Sequence, residues 1–328
     1  MSTEDPRPVL VTGAGGFIGG HLVGSLLADG HAVRAVDLKP EHRWYQHHNG
    51  AINVVADLRL RDAAFTAVAG TKSIYNLACN MGGMGFIESN KAACMLNVLI
   101  DTHLLEAARD EQLESYFYAS TACVYPGYLQ HDPDVTALKE ADTYPADPED
   151  GYGWQKLFGE RLCLNFGEDF GIPVRVGRYH NVYGPEGTWH GGREKAPAAI
   201  CRKVAEAVLS GGTEIEVWGD GEQSRSFMYI DDGVEGTRRL ASSSIDTPLN
   251  IGSSELVTIN QLVDIVSSIG GIKLERRHIA AAPQGVRGRN SDNTEVQSKL
   301  GWQPSISLRS GLEQTYAWIY EQVAASQR

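Results

Sequence analysis

A doubly wound α/β sheet of parallel strands, with a smaller interleaved α+β unit, is the fold class this sequence predicts, and three observations carry it. Short apolar runs rich in β-branched residues alternate with helix-like stretches from residue 9 to about residue 180. The first run, Val9-Leu10-Val11-Thr12, passes directly into Gly13-Ala14-Gly15-Gly16-Phe17-Ile18-Gly19. Beyond about residue 180 the rhythm loosens into shorter pieces with no clean linker and no internal repeat. Strands alternating with helices put the strands in parallel, because each crossover must return along a face of the sheet.

The glycines of 13–19 fall between the first strand and a helix reaching Ala28. Missing side chains there let backbone N–H groups and a helix N-terminus approach a pyrophosphate. Asp29-Gly30 stops that helix, and residues 31–36 read as a second strand ending on Asp37, 18 residues past Gly19. That is the place of the acid that binds an adenosine ribose, and its charge repels a 2′-phosphate, so NAD is favoured over NADP. Strands follow at 52–56, ending at Asp57, then at 73–77 and 114–120, with a helix expected over 90–109. Asp147-Pro148-Glu149-Asp150 is rich in capping residues ahead of a helix over 152–166, and Val174-Arg175-Val176 completes at least six strands. Further on, helices are expected over 197–209, 227–241 with Asp231 as its cap, 258–269 and 308–324. Strands are expected at 214–218, 273–278 and 249–251, the last returning to the first sheet.

Apolar residues make up 42% and charged residues 21%, the balance of a soluble globular chain. A net charge of −12 argues against a general nucleic-acid or membrane-surface binder, so an anionic ligand must meet a local basic cluster. Five scattered cysteines without a CxxC spacing imply neither a disulfide framework nor a zinc site, and point to a reducing cytosol. The polar stretch from Met1 to Pro8 has no apolar signal core, and no apolar run is long enough to cross a membrane.

The run Ala119-Ser120-Thr121-Ala122-Cys123-Val124-Tyr125-Pro126 follows Tyr116-Phe117-Tyr118 and reads as the carboxyl end of a strand, the edge where ligands sit. Alternate side chains share a face, so Thr121 and Cys123 are expected to point at a substrate together. A free cysteine is more often one small buried residue among others, and the company it keeps singles this one out. Tyr152 and Lys156 lie four apart on one helical face, where the ammonium is expected to lower the phenol's pKa. With Thr121 they form the equipment for taking a proton from a sugar hydroxyl while its carbon gives hydride to a nicotinamide.

Four further stretches are Asn80-Met81-Gly82-Gly83-Met84-Gly85-Phe86, Ala122 to Pro126, Gly191-Gly192-Arg193-Glu194-Lys195-Ala196-Pro197 and Gly285-Val286-Arg287-Gly288-Arg289-Asn290-Ser291-Asp292. On these the chain, from Val9 to about Gln322, resembles the extended short-chain dehydrogenase/reductases that modify nucleotide sugars, and among them those that epimerise a GDP-hexose. Asn80 stands where that family usually has Asp, and Trp154-Gln155 replaces an aliphatic-acidic pair; neither removes a group the chemistry needs.

The resemblance implies an NAD site made by Gly13, Gly16, Phe17, Ile18, Gly19, Asp37, Asp57, Leu58, Tyr152 and Lys156, in a domain of residues 8–180 plus about 227–252. It implies a second, nucleotide-sugar domain of about 181–226 and 253–328. Catalysis would fall to Tyr152, Lys156 and Thr121 for the redox step, and to Cys123 and Lys195 for inverting the carbons beside a transient C4 ketone. Related 4,6-dehydratases carry Glu where Cys123 stands. A neighbouring cation is expected to bring the thiol toward neutrality, and burial to make the lysine less basic. Substrate contacts are implied for Gly82, Gly83, Thr121, Cys123, Asn181, Glu194, Lys195, Lys203, Gln223, Arg225, Arg287 and Arg289, the arginines suiting forked contacts to a diphosphate. Arg202 is expected to face water. The stripes Val98, Leu99, Leu105 and Leu157, Phe158, Leu162 are first of all core, on helices that the resemblance pairs across a homodimer. Two other readings stay open: a 4,6-dehydratase or epimerase of another nucleotide sugar such as a GDP-heptose, and an NAD-sensing module without chemistry.

Overall fold

Strands β1 (Val9–Thr12), β2 (Val33–Asp37), β3 (Ile52–Val55), β4 (Ser73–Asn76), β5 (Ser115–Thr121), β6 (Val174–Tyr179) and β11 (Leu249–Ile251) form one parallel sheet in the order β11-β6-β5-β4-β1-β2-β3. The structure, a computed structural model, describes residues 6–282 and 284–327; the amino-terminal residues 1–5, on which part of the signal-peptide reading rests, lie outside them. Successive side chains on a strand point to opposite faces, and here both faces are apolar. Val9, Val11, Ala35 and Phe117 meet α1 (Phe17–Ala28) and α8 (Ile230–Ala241). Leu10, Val36, Ile74 and Tyr116 meet α2 (Arg61–Val68), α5 (Val98–Ala108) and α6 (Tyr152–Phe170). The strand at 249–251 does return to the first sheet, pairing with β6.

The remaining pieces gather around α7 (Ala196–Ser210), α9 (Ile259–Ile269) and α11 (Leu308–Ser326), which share one core. Beside them β8 (Glu214–Trp218) pairs in parallel with β13 (Glu275–Ile279), while β9 (Ser224–Ser226) joins β12 (Leu256–Thr258) and β14 (Gly288–Arg289). Thr258 caps α9 through a reciprocal capping box with Gln261. α10 (Thr294–Leu300) packs near β11. Among the described residues no helix is long and apolar enough to cross a membrane.

Four expectations are corrected. The helix expected over 90–109 is broken into α4 (Lys91–Met95) and α5, because buried Asn97 spends its amide on local backbone, donating to the Cys94 carbonyl (2.8 Å) and accepting from the Asn80 N–H (2.8 Å). A further short helix, α3 (Met84–Ser89), occupies the glycine-rich segment before it. The strand expected over 114–120 is present and ends at Thr121, but the shared face expected of Thr121 and Cys123 is not. The Thr121 hydroxyl accepts the Cys123 N–H (3.2 Å) and turns 122–124 into one 3₁₀ turn, so Thr121 and Cys123 do not alternate along a strand. α8 starts at Ile230 with Tyr229 as its cap, since Met228–Tyr229 (β10) pairs with β7 (Val182–Tyr183); Asp231 sits inside the first turn. Leu99 and Phe158, expected in the core, are 39% and 52% exposed.

Candidate active site

The turn after β1 admits only glycine at several places. A Cβ on Gly19 would stand 2.2 Å from the Gly13 carbonyl oxygen, and one on Gly16 2.9 Å from the same atom. Gly13 itself has φ +69° with the Leu77 backbone 2.9 Å from where its Cβ would be. α1 begins at this turn with no side chain capping its first N–H groups, the arrangement that receives a phosphate. Asp37, at the end of β2, accepts the Lys39 N–H (2.8 Å), while the Lys39 ammonium donates to the Gly15 carbonyl. Phe17 packs against Gly184 and Gly187, Ile18 lies beside the same core, and Leu58 is buried. Asp57 is held by the Arg59 guanidinium (2.9 and 2.7 Å), which keeps its carboxyl below the usual range. A side-chain-free cradle, an open helix end and a carboxylate beyond them fit a dinucleotide.

At the carboxyl edge of β4 and β5, Tyr152 opens α6 and is buried with Cys79, Cys94, Cys123 and Ile87. Lys156, one helical turn on, is buried with its ammonium donating to the Ala119 carbonyl (2.8 Å) and 4.6 Å above the Tyr118 ring. Burial pushes the Tyr152 phenol well above its ordinary pKa, the Cys79 and Cys123 thiols add to this, and a hydrogen bond with Thr121 opposes it. The expected lowering by Lys156 is therefore overturned: the phenol is shifted by desolvation, while the ammonium is engaged with the Ala119 carbonyl and the Tyr118 ring. Beneath the pair, buried Asp101 accepts hydrogen bonds from Tyr118 (3.0 Å), Gln155 (2.6 Å) and Asn76 (2.9 Å).

Cys123 is likewise corrected. Burial, assisted by the Glu149 carboxylate, pushes its thiol up to about 12, against the pull of Arg289, whose Nη1 lies 3.5 Å from the sulfur. Lys195, the cap residue of α7, keeps part of its surface in solvent, yet enough protein surrounds the ammonium that burial lowers its pKa as expected; Cys123 and Arg289 are the charges that act on it. The structure thus brings Thr121, Cys123, Tyr152, Lys195 and Arg289 into one neighbourhood.

The other implied substrate residues divide. A Cβ on Gly83 would stand 2.6 Å from the Glu194 carbonyl oxygen, and the Gly83 N–H donates to the Arg193 carbonyl (3.0 Å), so the glycine segment is pinned to the 191–195 loop; a Cβ on Gly82 would meet Phe86 at 2.8 Å. Arg193 closes the same join from above, over the Phe86 ring (3.8 Å) and onto Asn80 (3.1 Å). Glu194 accepts the Gly192 N–H (2.7 Å). Asn181, at φ +45°, donates to the Ser226 carbonyl (3.0 Å), and Gln223 to the Trp218 carbonyl (2.9 Å). Arg225 and Arg289 reach inward, Arg225 lowered to about 9 by burial and by Arg289. Lys203 and Arg287 do not join the cluster: one donates to the Glu216 carbonyl (2.8 Å), the other makes a forked pair with Asp220 (2.9 and 3.0 Å). Arg202, expected in water, is instead partly buried between Glu194 (3.4 Å) and Glu206 (2.9 Å). Glu149 and Asp101 were not singled out by the sequence; the one signal for Glu149 was its place three residues before Tyr152, in a stretch that reads as capping.

Residues 9–252 match the family model described as the NAD dependent epimerase/dehydratase family. Over 317 residues, 96% of this chain and 82% of the relative, it is 48% identical to GDP-mannose 3,5-epimerase 1 of Oryza sativa subsp. japonica. Identity to GDP-mannose 3,5-epimerase of Arabidopsis thaliana is 46% over the same shares. Among solved structures it is similar to UDP-glucuronic acid 4-epimerase from Bacillus cereus in complex with UDP-glucuronic acid and NAD. The TM-score there is 0.81 at 26% identity, over 96% of this chain and all of that one. The glycine cradle, the buried Tyr152 and Lys156 and these likenesses converge: the chain belongs to the NAD dependent epimerase/dehydratase family.

Proposed function

We propose that this enzyme epimerises GDP-D-mannose at C3 and C5 to GDP-L-galactose, with GDP-L-gulose as the singly inverted 5-epimer. The observation that carries the reading is the meeting of Cys123, Lys195 and Arg289 beside Tyr152, in a chain 48% identical to a GDP-mannose 3,5-epimerase. Gly13, Gly16, Phe17, Ile18, Gly19, Asp37, Asp57 and Leu58 would hold NAD, in a domain of residues 8–180 plus about 227–252, with Tyr152 and Lys156 at its reactive end. When bound, NAD supplies an oxidised nicotinamide that takes the C4 hydride and later returns it, and a positive charge that favours the Tyr152 phenolate.

Tyr152 takes the C4 hydroxyl proton, with Thr121 hydrogen-bonded to its oxygen in support of the anion. A ketone at C4 makes the hydrogens on C3 and C5 acidic. Cys123 and Lys195, on the two faces of the ring, exchange protons with those carbons, and Arg289 steadies the sulfur's charge. Partly buried Arg225 meets the diphosphate, with Asn181, Glu194, Gln223, Lys203 and Arg287 lining the nucleotide's path in a part formed by about 181–226 and 253–328. Gly82 and Gly83 carry the loop alongside the hexose.

Five free thiols suit a reducing compartment such as the cytosol. Met95, Leu96 and Leu99, with Trp154 and Phe158 on α6, leave an apolar patch that suits a homodimer through these helices.

The test is NMR of GDP-mannose turnover in deuterated water. Deuterium is expected at both C3 and C5 of GDP-L-galactose, and Cys123→Ala is expected to retain NAD while losing this incorporation. A stable 4-keto-6-deoxy product, or undiminished exchange in the variant, overturns the assignment.

A further inference from the structure

In mannopyranose the hydrogens on C3 and C5 project from the same face of the ring. Two inversions by one acid–base pair therefore make the same side chain act twice in the same direction, and after the first its proton is on the wrong partner. Something must restore the Cys123 sulfur to its starting protonation before the second inversion, or the sugar leaves half converted.

The surroundings of the sulfur hold such a group. Glu149 precedes Tyr152 by three residues, and its backbone N–H donates to the Cys123 carbonyl (3.0 Å), which fixes the two residues against each other. Packing at this join is close: a Cβ on Gly153 would lie 2.4 Å from that same carbonyl oxygen. The carboxylate and the thiol act on each other, the Glu149 charge pushing the thiol up and the thiol helping to hold the carboxyl down. One of its oxygens, Oε1, takes the Arg289 guanidinium, which also stands 3.5 Å from the sulfur and is anchored by Gln130 Oε1 (2.6 Å). The other, Oε2, is buried without a hydrogen-bond partner among the described residues. Glu149 also lines a cleft of about 340 Å³ with Gly127, His131, Asp150, Met84 and Lys91.

We propose that Glu149 relays protons between the Cys123 sulfur and water in this cleft, resetting the sulfur between the two inversions. The step balances as Glu149 carboxylate plus Cys123 thiol giving carboxylic acid plus thiolate, and the reverse; the acid then exchanges its proton with water. Arg289 touches both partners, so one negative charge moves from oxygen to sulfur beside the same guanidinium and is never left alone. The pair titrates as a unit, and the high thiol pKa, raised by burial and by the Glu149 charge, reports that unit with its proton on sulfur. The charged or titratable groups that face it are Arg289 and Arg225 on the Glu149 side, and Lys195 and Tyr152 on the Cys123 side. Glu149 acts through the sulfur and not on the sugar.

The proposal rests on the two-inversion reading above, and the test separates the two. The full-length chain with its NAD is incubated with GDP-mannose in deuterated water, and singly and doubly inverted products are counted by NMR. Glu149→Gln is expected to lower turnover on the order of 10²-fold, the scale of a lost proton-transfer group, and to raise the singly inverted share of product at least about fivefold. Lower turnover with an unchanged product ratio overturns the proposal, because a residue that only braces Arg289 slows both inversions alike. Glu149→Asp, which keeps the charge, covers a glutamine variant that fails to fold. It is expected to hold the parent's product ratio at several-fold lower turnover, and parental turnover in it also overturns the relay. If the unmutated chain makes neither epimer, the reading of the site fails before this step is reached.

Discussion

At the scale of single residues, burial decides charge more often than neighbours do. His180 is the plainest case. It is fully enclosed, its Nε2 donates to the Asn250 amide oxygen (3.0 Å), and burial takes its pKa from 6.5 down to about 3. The fold therefore holds a neutral ring while the unfolded chain protonates below pH 6.5, so stability is fully present above 6.5 and is lost as pH falls toward 3. Between pH 6.5 and 5 the loss amounts to about 2 kcal/mol. Urea unfolding at the two pH values should show it, and His180→Gln should flatten the difference; an unchanged slope would place the acid sensitivity elsewhere. The same effect explains which part of the site the sequence could give. That Tyr152, Lys156, Cys123 and Lys195 come together was readable, since all four stand at motif positions. Charge states were not: the expected lowering at Tyr152 and Cys123 assumed cations in water-like surroundings, and both groups are enclosed, with Glu149 added beside the thiol.

At the scale of elements, the 191–195 loop depends on the glycine segment facing it. Gly83 lies so near the Glu194 carbonyl that a methyl group there must push the loop away, and Lys195 with it. Gly83→Ala is expected to keep bound NAD, read from absorbance of the released cofactor, and to lose on the order of 10²-fold in turnover, the penalty of roughly an ångström of misplacement. Retained turnover would mean that the loop yields without moving the amine. Elements were legible where periodicity and punctuation agree, as in β1, α1 and α7. They were not where a side chain competes with the backbone: Asn97 breaks a helix that its apolar spacing predicts, and Thr121 ends a strand whose composition would carry it on.

At the scale of the whole molecule, a parallel sheet wound on both faces follows from strand alternation and was readable, while the order of its strands comes from the structure alone. The surface was less so, because the stripe at Leu99 and Phe158 has the spacing of a core while the fold turns these residues outward, with Leu96 and Trp154 beside them. If two copies cover that patch, Leu99→Glu combined with Phe158→Glu should halve the mass measured by light scattering while the far-ultraviolet circular dichroism stays that of the parent. A mass unchanged by the double substitution would exclude these helices as the contact.

β11 closes one side of the sheet, yet its three residues come some seventy positions after β6, the strand they cover. During synthesis the ribosome exposes β6 long before the segment that shields it exists, and for that interval the growing polypeptide carries a sticky, unsatisfied margin. Premature termination between residues 180 and 248 would make that interval permanent, so such fragments should collect in inclusion bodies or on chaperones even though every glycine of the nucleotide cradle has already been translated.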